Sequence, residues 1–130
     1  MNIDIKLHKL DLPDDLAFSD KIAIDCEFMG LNVERDRLCL VQVADAKGFV
    51  HLIQIEKNQK QAINLAKIMT DQKIVKIFHY ARFDIGILHR NLNFMTRNVY
   101  CTKIASKLAR TFSQSPVSYT HLTLPTTPYV

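Results

Sequence analysis

The chain has 130 residues, 48% of them apolar and 23% charged, which is enough for one domain with its own core and too few for two. That balance excludes wholesale disorder, a collagen-like repeat and a disulfide scaffold, and no apolar run approaches the roughly 18 residues of a membrane span. The net charge of +4 is unevenly spread, at −3 over residues 1–20, +1 over 21–70 and +6 over 71–130. The opening MNIDIKLHKLDLPDD sets acids among its apolar positions and so lacks the pattern of a secretory signal; the expected location is the cytoplasm. Cys26, Cys39 and Cys101 are an odd number without a CxxC pair. They are expected as buried thiols, with no zinc knuckle and no disulfide-linked partner.

In chain order, strand signals come first. Ile3 to Leu7 alternates, Lys21 to Glu27 reads KIAIDCE, Arg37 to Val43 reads RLCLVQV and Gly48 to Ile55 reads GFVHLIQI, with turn-formers between them. These are predicted to form an antiparallel meander. The period then changes, since Ala62, Ile63, Ala66 and Ile68 to Met69 recur at helical spacing. A short strand, Lys73 to Phe78, leads into a second helix carrying Ala81, Ile85, Leu88 and Leu92, and Val99 to Cys101 precedes a third with Ile104, Ala105, Leu108 and Phe112. Strands followed by alternating helix and strand predict an α/β domain, a mixed sheet flanked by helices.

The C-terminal end breaks this grammar. VSYTHLTLPTT, Val117 to Thr127, has no charge and no periodicity, and VSYTHLTLPT resembles the translation of a transposon-type sequencing adapter. The domain is therefore expected over residues 1–116, with 117–130 set aside as a non-native tail.

Three carboxylates stand out. Asp25 and Glu27 close an apolar strand, and a side-chain period of two sets both on one face, about 6.6 Å apart at Cα. Two charges ~5 Å apart repel by roughly 3 kcal/mol at an effective dielectric of 20, a strain that a hard divalent cation such as Mg²⁺ or Mn²⁺ relieves. A strand merely running out into solvent would show the same DxE. Asp84 shares a helical face with Ala81, Ile85 and Leu88, where a carboxylate needs a metal, an Arg or a cluster of donors; the helix N-terminus or Arg82 could also satisfy it. The basic excess around Arg82, Arg90, Arg97, Lys103, Lys107 and Arg110 fits either a polyphosphate partner or a solvated helix face. His51 and His89 read as surface or helix-face histidines, and Phe94 and Met95 as core. Cys101 has no His or second Cys beside it in sequence, and Gly30, Gly48 and Gly86 are too few for a phosphate-binding glycine loop.

IAIDCEFMGL, RLCLVQVA, KIFHYARFDIGIL and VYCTKIASKLAR, in this order and spacing, resemble the DEDD 3′→5′ exonucleases, specifically the short ribonuclease D-like proteins of bacteria. The resemblance runs from about Ile3 to Phe112 and implies a ribonuclease H-like fold, truncated at the C-terminus. It implies two divalent ions, Mg²⁺ or Mn²⁺, with Asp25, Glu27 and Asp84 as metal-binding and catalytic acids. Leu31 falls where relatives wedge a residue beside the 3′-terminal base, and Phe28, Met29, His79 and Tyr80 would line the substrate pocket. The implied reaction releases nucleoside 5′-monophosphates from RNA or single-stranded nucleic acid. A fourth acid, from a YxxxD or HxxxD motif, has no counterpart, since no Asp or Glu follows Asp84; this chain is therefore expected to be inactive as it stands. The alternative is a non-catalytic module that uses the same fold to bind nucleic acid or protein.

Overall fold

The computed structural model describes residues 2–110. Six strands form one sheet: β1 Asp4–Lys9, β2 Lys21–Phe28, β3 Leu38–Asp45, β4 Phe49–Gln54, β5 Val75–Phe78 and β6 Val99–Cys101. Three helices accompany them, α1 Ile63–Thr70, α2 Ala81–Leu92 and α3 Thr102–Ala109. The strand order is β1-β4-β3-β2-β5-β6. The centre, β2-β3-β4, is antiparallel, and β5 and β6 continue it in parallel, the mixed α/β sheet that the sequence predicts.

One strand departs from the prediction. β1 is no part of the meander; it lies parallel to β4 at the sheet edge, with Ile5 opposite Val50 and Leu7 opposite Leu52. The long connection to β2 makes this possible, because it crosses the start of α1 and is fastened there. Asp11 accepts the backbone N–H groups of Asn64 and Leu65, and Asn64 donates to the Leu12 carbonyl and to Asp14. α1 begins on Ala62, which has no side chain with which to cap it, so Asp11 supplies the cap from a distance.

One sheet face holds the core. Ile22, Ile24 and Cys26 alternate inward on β2 with Val41 and Val43 on β3, Ile53 on β4 and Phe78 on β5, in one cluster with Leu65 and Met69 of α1 and Ile87, Leu88 and Leu92 of α2. Lys76 is also wholly buried there; its ammonium donates to the Asp71 carbonyl at the C-cap of α1, where a cation meets the negative helix end. The opposite face, with Ala23, Asp25, Glu27, Leu40, Gln42, Val50 and Leu52, stays half-buried or exposed.

Four side chains sit otherwise than the sequence suggests. His51 is buried, hydrogen-bonded to His8 at 2.9 Å and flanked by the edge of Phe18; its place on β4, beside the inward Val43, fixes it on the core side. Met95 is 49% exposed while Phe94 is buried, since α2 has ended at Leu92 and neighbouring residues no longer share a face. Of the cysteines only Cys26 is buried; Cys39 and Cys101 are half-exposed, and all three are free thiols.

Candidate active site

The site begins where two strands part. β2 and β5 run parallel through the pairs Lys21–Val75, Ile22–Lys76 and Ala23–Ile77 and then separate. Two residues past the last pair stand Asp25, still on β2 and on the uncovered face that Ala23 shares, and His79, just beyond the end of β5. The ladder between β2 and β3 shifts register at Glu27/Phe28, an irregularity that bends the end of the strand just past Glu27.

α2 fills the gap. Tyr80 adopts a left-handed conformation, φ 66° and ψ 49°, and turns the chain from β5 into the helix within one residue. Asp84 therefore falls in the first helical turn and is buried, at 6% exposure. Burial, followed by the charges of Asp25 and Glu27, pushes its carboxyl up to about 8. Asp25 and Glu27 are also raised, chiefly by burial; Cys26 and His79 pull Asp25 partly back, whereas Asp25 raises Glu27 further. The three acids thus feel one another although 57 positions separate the last two. Among the described residues no three acids, histidines or cysteines close tightly round a single point; the carboxylates form an open group with an oxygen-only donor set. Behind them Cys26 is held well above the usual thiol range by burial and by these acids, which makes it inert.

The start of α3 holds the start of α2 through three consecutive residues. The Cys101 sulfur accepts the Ala81 N–H at 3.5 Å, Thr102 Oγ1 lies 2.9 Å from His79 Nδ1, and the Lys103 ammonium stands 3.2 Å above the Tyr80 ring. Burial alone would raise the Cys101 thiol, but donors from Ala81, Ile104, Lys103 and Tyr80 hold it below its ordinary value. Lys103 also lowers the Tyr80 phenol. On the other side the Phe28 ring stacks on Phe83 with centroids 5.8 Å apart, joining the residue after Glu27 to the residue before Asp84.

Met29 and Leu31, 70% and 62% exposed, project from the loop 29–37. Asp36 accepts the Asn32 N–H and pairs with Arg35, Asn32 caps the turn at Glu34, and Arg90 of α2 donates to the Glu34 carbonyl. A Cβ at Gly30 would fall 2.3 Å from Asp36 Oδ2, so any larger residue there would push the Asp36 carboxylate away from Asn32 and Arg35.

Asp25, Glu27, Asp84 and His79 therefore share one region, with Phe28 and Tyr80 at its borders and Met29 and Leu31 on a braced loop. Sequence reasoning missed Thr102 and Phe83, and named Lys103 only within the basic excess, not for its place over Tyr80. Phe83 was legible as the neighbour of Asp84; the roles of Thr102 and Lys103 depend on a strand pairing that short β6 barely signals.

An open carboxylate group at the parting of two parallel strands, beside an antiparallel β-meander, defines a ribonuclease H-like fold of the nuclease type, and the comparisons agree. The 3′-5′ exonuclease family model matches residues 6–124, a range that extends beyond the described residues, and the chain belongs to that family. NrnC of Brucella melitensis superimposes with a TM-score of 0.79 at 47% identity over 88% of this chain and 56% of its own; it has also been solved with Mg²⁺ and with pGG. Ribonuclease D of Zymomonas mobilis is 29% identical over 70% of this chain and 23% of its own length. The exosome complex component 10 homolog of Drosophila melanogaster is 32% identical over 72% of this chain and 10% of its own. The chain thus spans little more than half of NrnC and a quarter or less of these two longer relatives.

Proposed function

We propose that this chain carries the acid cluster of a two-metal-ion 3′→5′ exoribonuclease acting on RNA or single-stranded nucleic acid and releasing nucleoside 5′-monophosphates. The observation that carries the proposal is the gathering of Asp25, Glu27 and Asp84 where β2 and β5 part. Hard oxygen ligands that hold their protons too tightly suit Mg²⁺ or Mn²⁺, and NrnC, with nearly half its residues identical over the shared part, has been solved with Mg²⁺. When bound, such ions supply an activated water and charge stabilisation of the leaving 3′ oxygen. Asp25, Glu27 and Asp84 would hold them; Met29 and Leu31 would meet the terminal base, with Phe28 backing them and Tyr80 closing the far side. The pGG bound to NrnC makes short 5′-phosphorylated oligonucleotides the first substrates to try. Residues 1–116 form the proposed domain, and the expected tail 117–130 lies outside the described residues apart from this division. Since no acid follows Asp84, the 130 residues are expected to hydrolyse RNA weakly or not at all and to need a fourth acid from a downstream segment.

The test is thermal unfolding with and without Mn²⁺. The chain should melt several degrees higher with the ion and Asp25→Ala should not, while a chimera completed with the downstream segment of NrnC should shorten a 5′-labelled RNA from its 3′ end. A melting temperature indifferent to Mn²⁺, together with an inert chimera, would instead support a non-catalytic module with the same fold.

A further inference from the structure

His79 carries a lone pair with nothing to accept. Thr102 Oγ1 lies 3.2 Å from the Phe78 carbonyl oxygen and 2.9 Å from His79 Nδ1. A carbonyl can only accept, so for both contacts to be hydrogen bonds the single hydroxyl hydrogen of Thr102 must go to Phe78. The hydroxyl can then only accept from His79, which places the imidazole hydrogen on Nδ1 and leaves neutral Nε2 as an acceptor. Nε2 is buried and has no hydrogen-bond partner among the described residues. Buried polar atoms nearly always have one, so an orphan facing a candidate site points to a ligand that supplies it.

Resting on the exonuclease reading, we infer that His79 Nε2 accepts a hydrogen bond from a ribose hydroxyl of the 3′-terminal nucleotide, and that Thr102 fixes the tautomer that makes this possible. The position follows from the chain path: His79 stands just past the end of β5, two residues beyond Ile77 as Asp25 stands two beyond Ala23, and it is close enough to Asp25 to draw that carboxyl down, beside the acids where the scissile phosphate would lie. Chemistry selects the partner. Phosphate and carboxylate oxygens are acceptors and are repelled by the lone pair, whereas the hydroxyls flanking that phosphate donate. Base amino groups donate too, but the base belongs toward Met29 and Leu31. His79 is then a specificity-determining residue, and Thr102 a positioning residue that need not touch substrate.

The test uses the full 130-residue chain and Mg²⁺, with GMP and 2′,3′-dideoxy-GMP as probes. Nitrogen-15 correlation spectra of His79 should show a protonated Nδ1 and a bare Nε2, and the Nε2 resonance should move upfield with GMP but not with the dideoxy nucleotide. GMP should bind roughly three- to tenfold more tightly, the worth of one neutral hydrogen bond. Thr102→Val and His79→Phe should lose this preference, while Thr102→Ser, which keeps the hydroxyl, should retain it and guard against misreading a folding defect. A proton on Nε2, equal affinity for the two nucleotides, or a preference that survives Thr102→Val overturns the inference. If Mn²⁺ stabilises the chain but GMP shows no preference, His79 alone is misassigned; if neither ion nor nucleotide binds, the exonuclease reading falls with it.

Discussion

Asp84 costs the metal-free fold stability that a cation should return. Its carboxyl is raised to about 8 by burial and by Asp25 and Glu27, so the folded chain keeps a proton that the unfolded chain releases near pH 4. The sign follows: this contribution to stability is fully present below about pH 4 and is lost as pH rises toward 8. In EDTA, urea unfolding should show the wild type weaker at pH 8 than at pH 5 by roughly 2 to 4 kcal/mol from this group. Asp84→Asn should flatten that slope, and Mn²⁺ should restore the wild type at pH 8 but not the variant. An unchanged slope in Asp84→Asn would assign the pH dependence to other groups. Asp25 and Glu27 were legible in the sequence because a period of two needs only the strand; Asp84 was legible because an acid on an apolar helical stripe is conspicuous. The hold of Thr102 on His79 was not, since it links side chains 23 positions apart.

The elements were read correctly where periodicity is local and misread where a partner is remote. β2, β3 and β4 carry their strand signals locally, and they pair antiparallel through the loop 29–37 and the short turn 46–48. The parallel placement of β1 depends on how its connection crosses α1, and no residue in IDIKL records that. The cap of α1 is remote in the same way, because Asp11 accepts N–H groups 53 and 54 positions away. A lost cap typically costs about 1 kcal/mol, so Asp11→Ala should lower stability by about that much or more, as three donors, the N–H groups of Leu12, Asn64 and Leu65, lose their acceptor. Guanidinium titration would measure it. Stability unchanged in Asp11→Ala would mean that water replaces the carboxylate without loss.

Seen whole, the described molecule is covered on one side. Ile3, Ile5 and Leu7 along β1 are 62–64% exposed, and on α3 Ile104 and Leu108 are 58% and 69% exposed; Phe112, expected on the same helix face, lies outside the described residues. Soluble monomers rarely leave large contiguous apolar patches bare. The 130-residue chain should therefore bind a hydrophobic dye and sediment as larger species as its concentration rises, and Ile5→Lys with Leu7→Glu should reduce both. A monomer at high concentration without dye binding would show that these side chains are covered in solution.

The parallel pairing of β1 also orders assembly in time. During synthesis β1 emerges first, yet its ladder partner β4 follows only after two further strands have been made. β1 therefore waits without a mate while the β3–β4 hairpin closes beside it, and contacts of such long sequence separation form slowly. In a refolding experiment the amides of β1 should gain protection from exchange after those of β3 and β4, so that the first of the six described strands in chain order is among the last to join the sheet.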